Sequence, residues 1–207
     1  IGYRSISYPS LSLFFTPFSM LLLFFLLVTS IDSLDESKIR DICPTDKSLC
    51  AKKAAKGDCF GSSLKATVLQ KQCACSCDAV HHDRIQTCCR TVGEKEMLFC
   101  MPLCSYNTSA ESLGSTTGIK CVSQLTTWAY CASDNYDTIG CCKARGVPPE
   151  CQSFCQGKVP TCDMQSIFQY QGCLTHMRAI MSCQKESLGS KPRYDPDWTS
   201  SCEWEGK

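Results

Sequence analysis

The sequence predicts a small, disulfide-rich, all-α protein: two related six-cysteine helical hairpins packed together, preceded by a smaller cysteine-rich module. Three observations carry that prediction. Twenty of the 207 residues are cysteine, a density that marks a disulfide scaffold rather than an ordinary apolar core. Twelve of these fall into two units of nearly equal spacing: Cys88, Cys89, Cys100, Cys104, Cys121 and Cys131, then Cys141, Cys142, Cys151, Cys155, Cys173 and Cys183. Each unit reads as an adjacent pair, a gap, C-x3-C, a longer gap and C-x9-C. The third observation is apolar patterning. Val122, Leu125, Trp128 and Ala129 follow Cys121 at the same offsets at which Leu174, Met177, Ile180 and Met181 follow Cys173. Steps of three and four place each set on one helix face.

The first thirty residues are of different material. Met20 to Val28 is an unbroken apolar block inside a longer apolar stretch from Leu11, and Val28-Thr29-Ser30 supplies the small residues of a cleavage site before Ile31. Residues 1–30 are therefore expected to be a secretory signal peptide. They carry one charge, Arg4, and no initiator Met, so a truncated start is expected, with Met20 a candidate for the true one. The rival reading is an uncleaved anchor over Leu11 to Val28, against which Thr16, Pro17 and Ser19 argue. Membrane attachment is expected only in that case. The C-terminal Glu203 to Lys207 is not the apolar tail of a GPI signal.

Residues 31–80 hold six cysteines, Cys43, Cys50, Cys59, Cys73, Cys75 and Cys77, and are expected to form a self-contained module. Residues 85–185 hold the duplicated frame. Residues 186–207 form a tail, with a Cys162–Cys202 bond as the simplest way to tie it. Sequence alone leaves open whether bonds cross between these groups. Geometry limits the pairing within them. Adjacent cysteines stand about 3.8 Å apart at Cα, below the disulfide range, so each reaches a different partner. Two cysteines ten residues apart on one helix are about 15 Å apart, so neither C-x9-C segment can close on itself if helical. Bonds must join separate segments.

Each C-x9-C segment is expected to be one amphipathic helix, with Asp163 a candidate for an early cap on the second and Gly189 beyond its end. Pro149 and Gly157 bracket a short helix over Cys151 to Cys155. In the first unit Pro102 sits between the two cysteines, which predicts a helix beginning later, near Cys104.

The stretch from Asp137 to Gly157 reads D-x3-CC-x3-GVP-x2-C-x3-C-x-G. With the flanking Cys100-Met-Pro-Leu-Cys104 and Cys173 to Cys183 it resembles the nematode DB module over about 85–185. That resemblance implies an extracellular domain, sometimes joined to immunoglobulin or fibronectin type III domains. The steps Cys43-x6-Cys50-x8-Cys59 and Cys73-x3-Cys77 resemble a degenerate ShK-type module; Cys75 falls inside that pattern, and the cysteine expected after Cys77 is missing.

With 21 basic and 20 acidic residues the net charge is +1, which gives no electrostatic case for nucleic acid or anionic membranes. Cys73, Cys75, Cys77, His81 and His82 have ligand-like density, but in an exported chain disulfides are expected in place of a metal. The two histidines are expected on a solvated linker, and Gly114-Ser-Thr-Thr-Gly118 in a flexible loop. No nucleophile elbow, phosphate loop or zinc-protease motif occurs, so no catalytic residue, metal or cofactor is predicted. Asn107-Thr108-Ser109 is a glycosylation sequon. Trp198 and Trp204 flank Cys202 and are candidate contact residues. The expected function is that of a secreted, non-enzymatic binding or matrix module with an extracellular protein partner. The alternative is a carrier of small apolar ligands, which an apolar pocket would favour.

Overall fold

A computed structural model describes residues 34–93, 95–159 and 168–200. Among the described residues every regular element is helical. The N-terminal module opens with α1 (Glu36–Ile42), whose first turn is capped by the Asp35 carboxylate on the Lys38 N–H at 2.9 Å. Next come α2 (Ser48–Ala55) and α3 (Leu64–Gln72), the latter capped by Ser63 on the Ala66 N–H. Ile39, Ala51, Ala54 and Leu69 bury their side chains among three disulfides, Cys43–Cys75, Cys50–Cys73 and Cys59–Cys77. This core is small, and chain cross-links substitute for apolar volume.

The longest helix, α4 (Ala74–Val92), carries cysteines of two groups: Cys75 and Cys77 bond backward into the module, Cys88 and Cys89 bond forward. Its first turn has no local side-chain cap. Asp46 supplies one from a distance, accepting from the Ser76 N–H at 2.8 Å and the Ser76 hydroxyl at 2.7 Å, which satisfies an orphan donor and opposes the positive end of the helix. His81 and His82 lie inside this helix, not on a linker, and His81 is fully buried. Their polarity hid an i, i+3, i+4 face made of Cys77, Val80, His81, Arg84, Ile85 and Cys88.

After α5 (Met97–Cys100) the chain tightens into a 3-10 turn over Met101–Leu103. Pro102 sits inside that turn, so the helical segment precedes Cys104 instead of starting there; proline is tolerated where no helical N–H is needed. Two short helices follow, α6 (Ala110–Leu113) and α7 (Thr116–Lys120), and α7 takes up Thr116 to Gly118 of the Gly114 to Gly118 stretch expected to be a flexible loop. Ser109 and Ser112 cap α6 reciprocally, and Ser115 caps α7.

The C-x9-C segments begin later than the apolar pattern implied. In the first, a 3-10 turn over Val122–Gln124 precedes α8 (Leu125–Ser133). In the second, residues Phe168–His176 are 3-10 and the α-helix, α10 (Met177–Ser187), starts only at Met177. Offset +1 therefore lies on a 3-10 turn in both. Between them, α9 (Ile139–Ala144) carries Cys141 and Cys142, and the segment around Cys151 and Cys155 is two 3-10 turns, Pro149–Cys151 and Phe154–Gln156, not an α-helix. Gly157 ends it at φ +71, where a Cβ would overlap the Ser133 side chain. The candidate cap Asp163, Cys162, Cys202 and Trp204 lie outside the described residues, as do residues 1–30.

Pairing is the same in both halves of the duplicated region: first cysteine to sixth (Cys88–Cys131, Cys141–Cys183), second to fourth (Cys89–Cys104, Cys142–Cys155), third to fifth (Cys100–Cys121, Cys151–Cys173). Each vicinal pair thus clamps two different segments. The result is two related helical hairpins packed together.

Candidate functional site: an apolar pocket between the two repeats

The first repeat builds most of a partly enclosed cavity of about 180 Å³. Its floor is set by α8. The Trp128 indole N–H donates to the Leu103 carbonyl at 2.7 Å, and the Thr108 hydroxyl donates to the same carbonyl at 2.7 Å. One carbonyl thereby pins the 3-10 turn to the helix and to the start of the α6–α7 stretch. Gly118 lets α7 approach α6: a Cβ there would overlap the Leu113 backbone, so only glycine closes this wall. Leu113, Ile119, Val122 and Leu125 line one side together with the Cys100–Cys121 disulfide. The second repeat supplies the opposite side from Phe154, Tyr170, Leu174 and Met177, with the Phe154 and Tyr170 rings edge to face at 6.4 Å.

The lining is almost wholly apolar. Gln124 is an exception: it is buried, and its Oε1 has no hydrogen-bond partner among the described residues. Ile119 stands at the wall with more than half its surface exposed, and Leu98 and Phe99, next in sequence to the lining residue Met97, are also exposed.

Charged groups gather elsewhere. Asp134, in the left-handed conformation at φ 49 that ends α8, is buried between Arg84 at 3.4 Å and Arg193 at 3.3 Å. Arg84 also donates to the carbonyls of Gly189 and Ser190 and lies over the Phe60 ring. The cluster ties α4, α8 and the tail together; with its donors so occupied it reads as an anchor. His81 points its Nε2 at the Cys59 carbonyl at 3.1 Å, and burial, with Lys185 nearby, lowers its pKa to about 4. Tyr106 is buried with its hydroxyl donating to the Ala132 carbonyl, and burial raises its pKa far above the usual phenol value.

The residues singled out from sequence are dispersed. Cys73, Cys75 and Cys77 are all in disulfides, which removes the thiolates a metal would need. Trp198 stacks flat on Tyr130 at 4.1 Å, and the Tyr130 hydroxyl accepts the Asp195 N–H, so this tryptophan fastens the tail to α8. Asn107 is exposed, while its neighbour Thr108 is buried in the Leu103 contact. Sequence reasoning missed Gln124, Gly118 and Leu103. Of these, only Gln124 left a signal: a polar residue one position before the apolar face begins in earnest at Leu125.

The D-x3-CC-x3-GVP signature now has a physical account. Asp137 accepts from the Ile139 N–H and from the Gln156 amide, both at 2.8 Å, joining α9 to the turn before Gly157. Gly146 sits at φ +75, and the Val147 N–H bonds back to the Cys142 carbonyl. The family model of the DB module matches residues 88–184.

Residues 88–184 thus match the DB module. All six disulfides of the two repeats lie within it, and the three of the N-terminal module lie outside. The DB module and the nine disulfides among the described residues fit an extracellular cysteine-rich domain. Neither the curated proteins nor the solved structures contain a match to the chain.

Proposed function

We propose that the protein is a secreted, non-enzymatic extracellular binding module, and that it acts as a carrier of a small apolar ligand held between the two repeats of its DB module. The observation that carries this reading is the pocket itself: a concave, apolar site at the seam of two disulfide-locked halves, with no Asp, Glu, His, Lys or Arg lining it among the described residues. Such walls suit binding better than acid–base chemistry, and a cross-linked site loses little freedom when it is filled. Export is part of the proposal, with the N-terminus of the mature protein at Ile31 and a glycan on the exposed Asn107; N-terminal sequencing and glycosidase treatment of exported material test both.

The test of binding uses ethylbenzene as the probe and the Trp128 indole resonance as the reporter, assigned by its loss in Trp128→Phe. Saturable movement of that resonance is expected, weakened by the space-filling Leu174→Phe. If the resonance does not move, the carrier reading is wrong. A second reading, an extracellular protein partner, is favoured by the exposed Leu98 and Phe99. It predicts that Phe99→Ser reduces recovery of the partner from extracellular extract without touching the ethylbenzene titration.

A further inference from the structure

We infer that the N-terminal module carries a binding site for a sulfated polysaccharide, formed by Lys52, Lys53 and Lys56 along α2 together with Lys65 of α3. The near-neutral net charge conceals a segregation of charge. Six of the 21 basic residues, all lysines, lie between Lys47 and Lys71, against one of the 20 acidic residues, Asp58, so the rest of the chain is net acidic. Within this window Lys52-Lys53-Ala-Ala-Lys56 is a short lysine-rich run of the kind that meets polyanions.

The fold gathers these charges on one surface. Cys50, Ala51 and Ala54 face inward from α2. Lys52, Lys53 and Lys56 fall on the opposite face, the first and last separated by one turn, about 6 Å along the axis. Lys53 and Lys65 line one groove between α2 and α3, with Leu64, Val68, Leu69 and Gln72. The Cys50–Cys73 bond ties α2 to the end of α3, so the backbone holds the two cationic elements at a fixed spacing. Local stability does not account for the arrangement. The negative end of the α2 dipole favours cations in its last turn, but Lys47 caps the start of α2 and Lys65 lies in the first turn of α3. Both are positive helix ends, and neither first turn contains an acid. Lys52 and Lys56 are like charges four residues apart, which repel. Among the described residues only Lys65 of the six has a carboxylate in reach, Asp58 at 3.6 Å, and its side chain is still 76% exposed. Asp46, next to Lys47, is engaged by Ser76 instead.

The type of cation narrows the ligand. The window contains no arginine, the residue whose planar fork grips individual carboxylates; ammonium groups act as point charges and suit a dense string of anions. Anionic phospholipid faces the cytoplasm, whereas the disulfides fit an extracellular setting. A sulfated polysaccharide is a dense polyanion of that setting, and Leu64, 82% exposed in the groove, offers an apolar surface to the C–H face of a sugar ring.

Heparin is the probe, titrated into the full chain at several salt concentrations. One variant carries Lys52→Gln, Lys53→Gln, Lys56→Gln and Lys65→Gln. A control removes the same charge at exposed positions elsewhere, through Lys120→Gln, Lys143→Gln, Lys158→Gln and Lys191→Gln. Wild type is expected to bind with an affinity that falls as salt rises, and the α2–α3 variant to bind about ten-fold more weakly with a shallower salt dependence. The control is expected to stay within about two-fold of wild type. Thermal unfolding establishes that both variants are folded, and arginine at the same four α2–α3 positions is expected to restore binding. Failure of wild type to bind heparin, or equal losses in the two variants, overturns the site. Tighter binding of wild type to poly-L-glutamate, or to vesicles of phosphatidylcholine and phosphatidylserine, than to heparin overturns the sulfated ligand in favour of an acidic protein or a membrane. None of these outcomes bears on the ethylbenzene titration, so this site and the carrier reading stand or fall separately.

Discussion

The two repeats of the DB module share one disulfide pattern and one apolar spacing, yet their long helices live in different surroundings. In α8 every residue after Leu125 is buried. In α10 burial is confined to Met177, Ile180, Met181, Cys183 and Gln184, and these divide between two cores: Met177 and Met181 join the first, Ile180 and Cys183 the second. The first helix is a central post, packed by α4 and by the tail through Trp198 on Tyr130; the second is an amphipathic cover. Duplication preserved the covalent frame, and the neighbours then decided how much of each helix faces water. The pocket belongs to the seam because the post and the cover meet there without filling it.

The largest test of that difference is at the outer staples. The Cys88–Cys131 and Cys141–Cys183 bonds close loops of almost the same length, 43 and 42 residues apart, so loop entropy alone predicts equal losses. Replacing either pair by alanines is expected to cost about 2–5 kcal/mol, with the first pair at the upper end because both its sulfurs lie in the central core. Equal urea midpoints and slopes would break the comparison. A matched transplant comes next. Thr126 and Arg178 each stand five residues after the fifth cysteine of their repeat, the first buried and the second exposed. Thr126→Arg should cost about 3 kcal/mol by overpacking and burying charge, whereas Arg178→Thr should stay within about 0.5 kcal/mol. Thermal unfolding of the two reciprocal variants reads this directly.

A pH titration sharpens the role of α4, which packs on the post. His81 has its folded pKa lowered from 6.5 to about 4 by burial. Between those values the unfolded chain takes up a proton that the folded protein refuses, so stability falls as pH drops and is fully present above 6.5. The expected loss between pH 6.5 and pH 5 is on the order of 2 kcal/mol, and His81→Gln, which keeps a donor for the Cys59 carbonyl, should flatten the slope over that interval. An unchanged slope would assign the effect to other groups. The smallest expected effect is at Thr126 again. Its buried hydroxyl has no partner among the described residues, so Thr126→Val should be neutral or stabilising by up to about 1 kcal/mol. Clear destabilisation would show that the hydroxyl is engaged.

Much of this was legible in the chain. Offsets +4, +7 and +8 are Trp128 and Ala129 in one helix and Met177, Ile180 and Met181 in the other, and all of these are buried; at +4 in the first, Leu125 is only half so. The geometric bar on adjacent and C-x9-C pairing agrees with the bonds observed. Where reading failed, non-local forces were at work. A 3-10 turn precedes both α8 and α10 where the apolar spacing predicted continuous helix, and α4 accommodates His81 because the Cys59 carbonyl and the Phe60 ring meet it from another segment. The pocket left almost no trace, since its walls come from sequence positions far apart and look like ordinary core.

The order of cysteines and the spacing of apolar residues, both local and periodic, settled on their own that this is an all-α, cross-linked, duplicated protein. Which helix became the buried post and where the repeats leave space depended on contacts between segments that meet only after folding. Packing is a property of surfaces brought together in space, and a sequence lists those surfaces without saying which will touch.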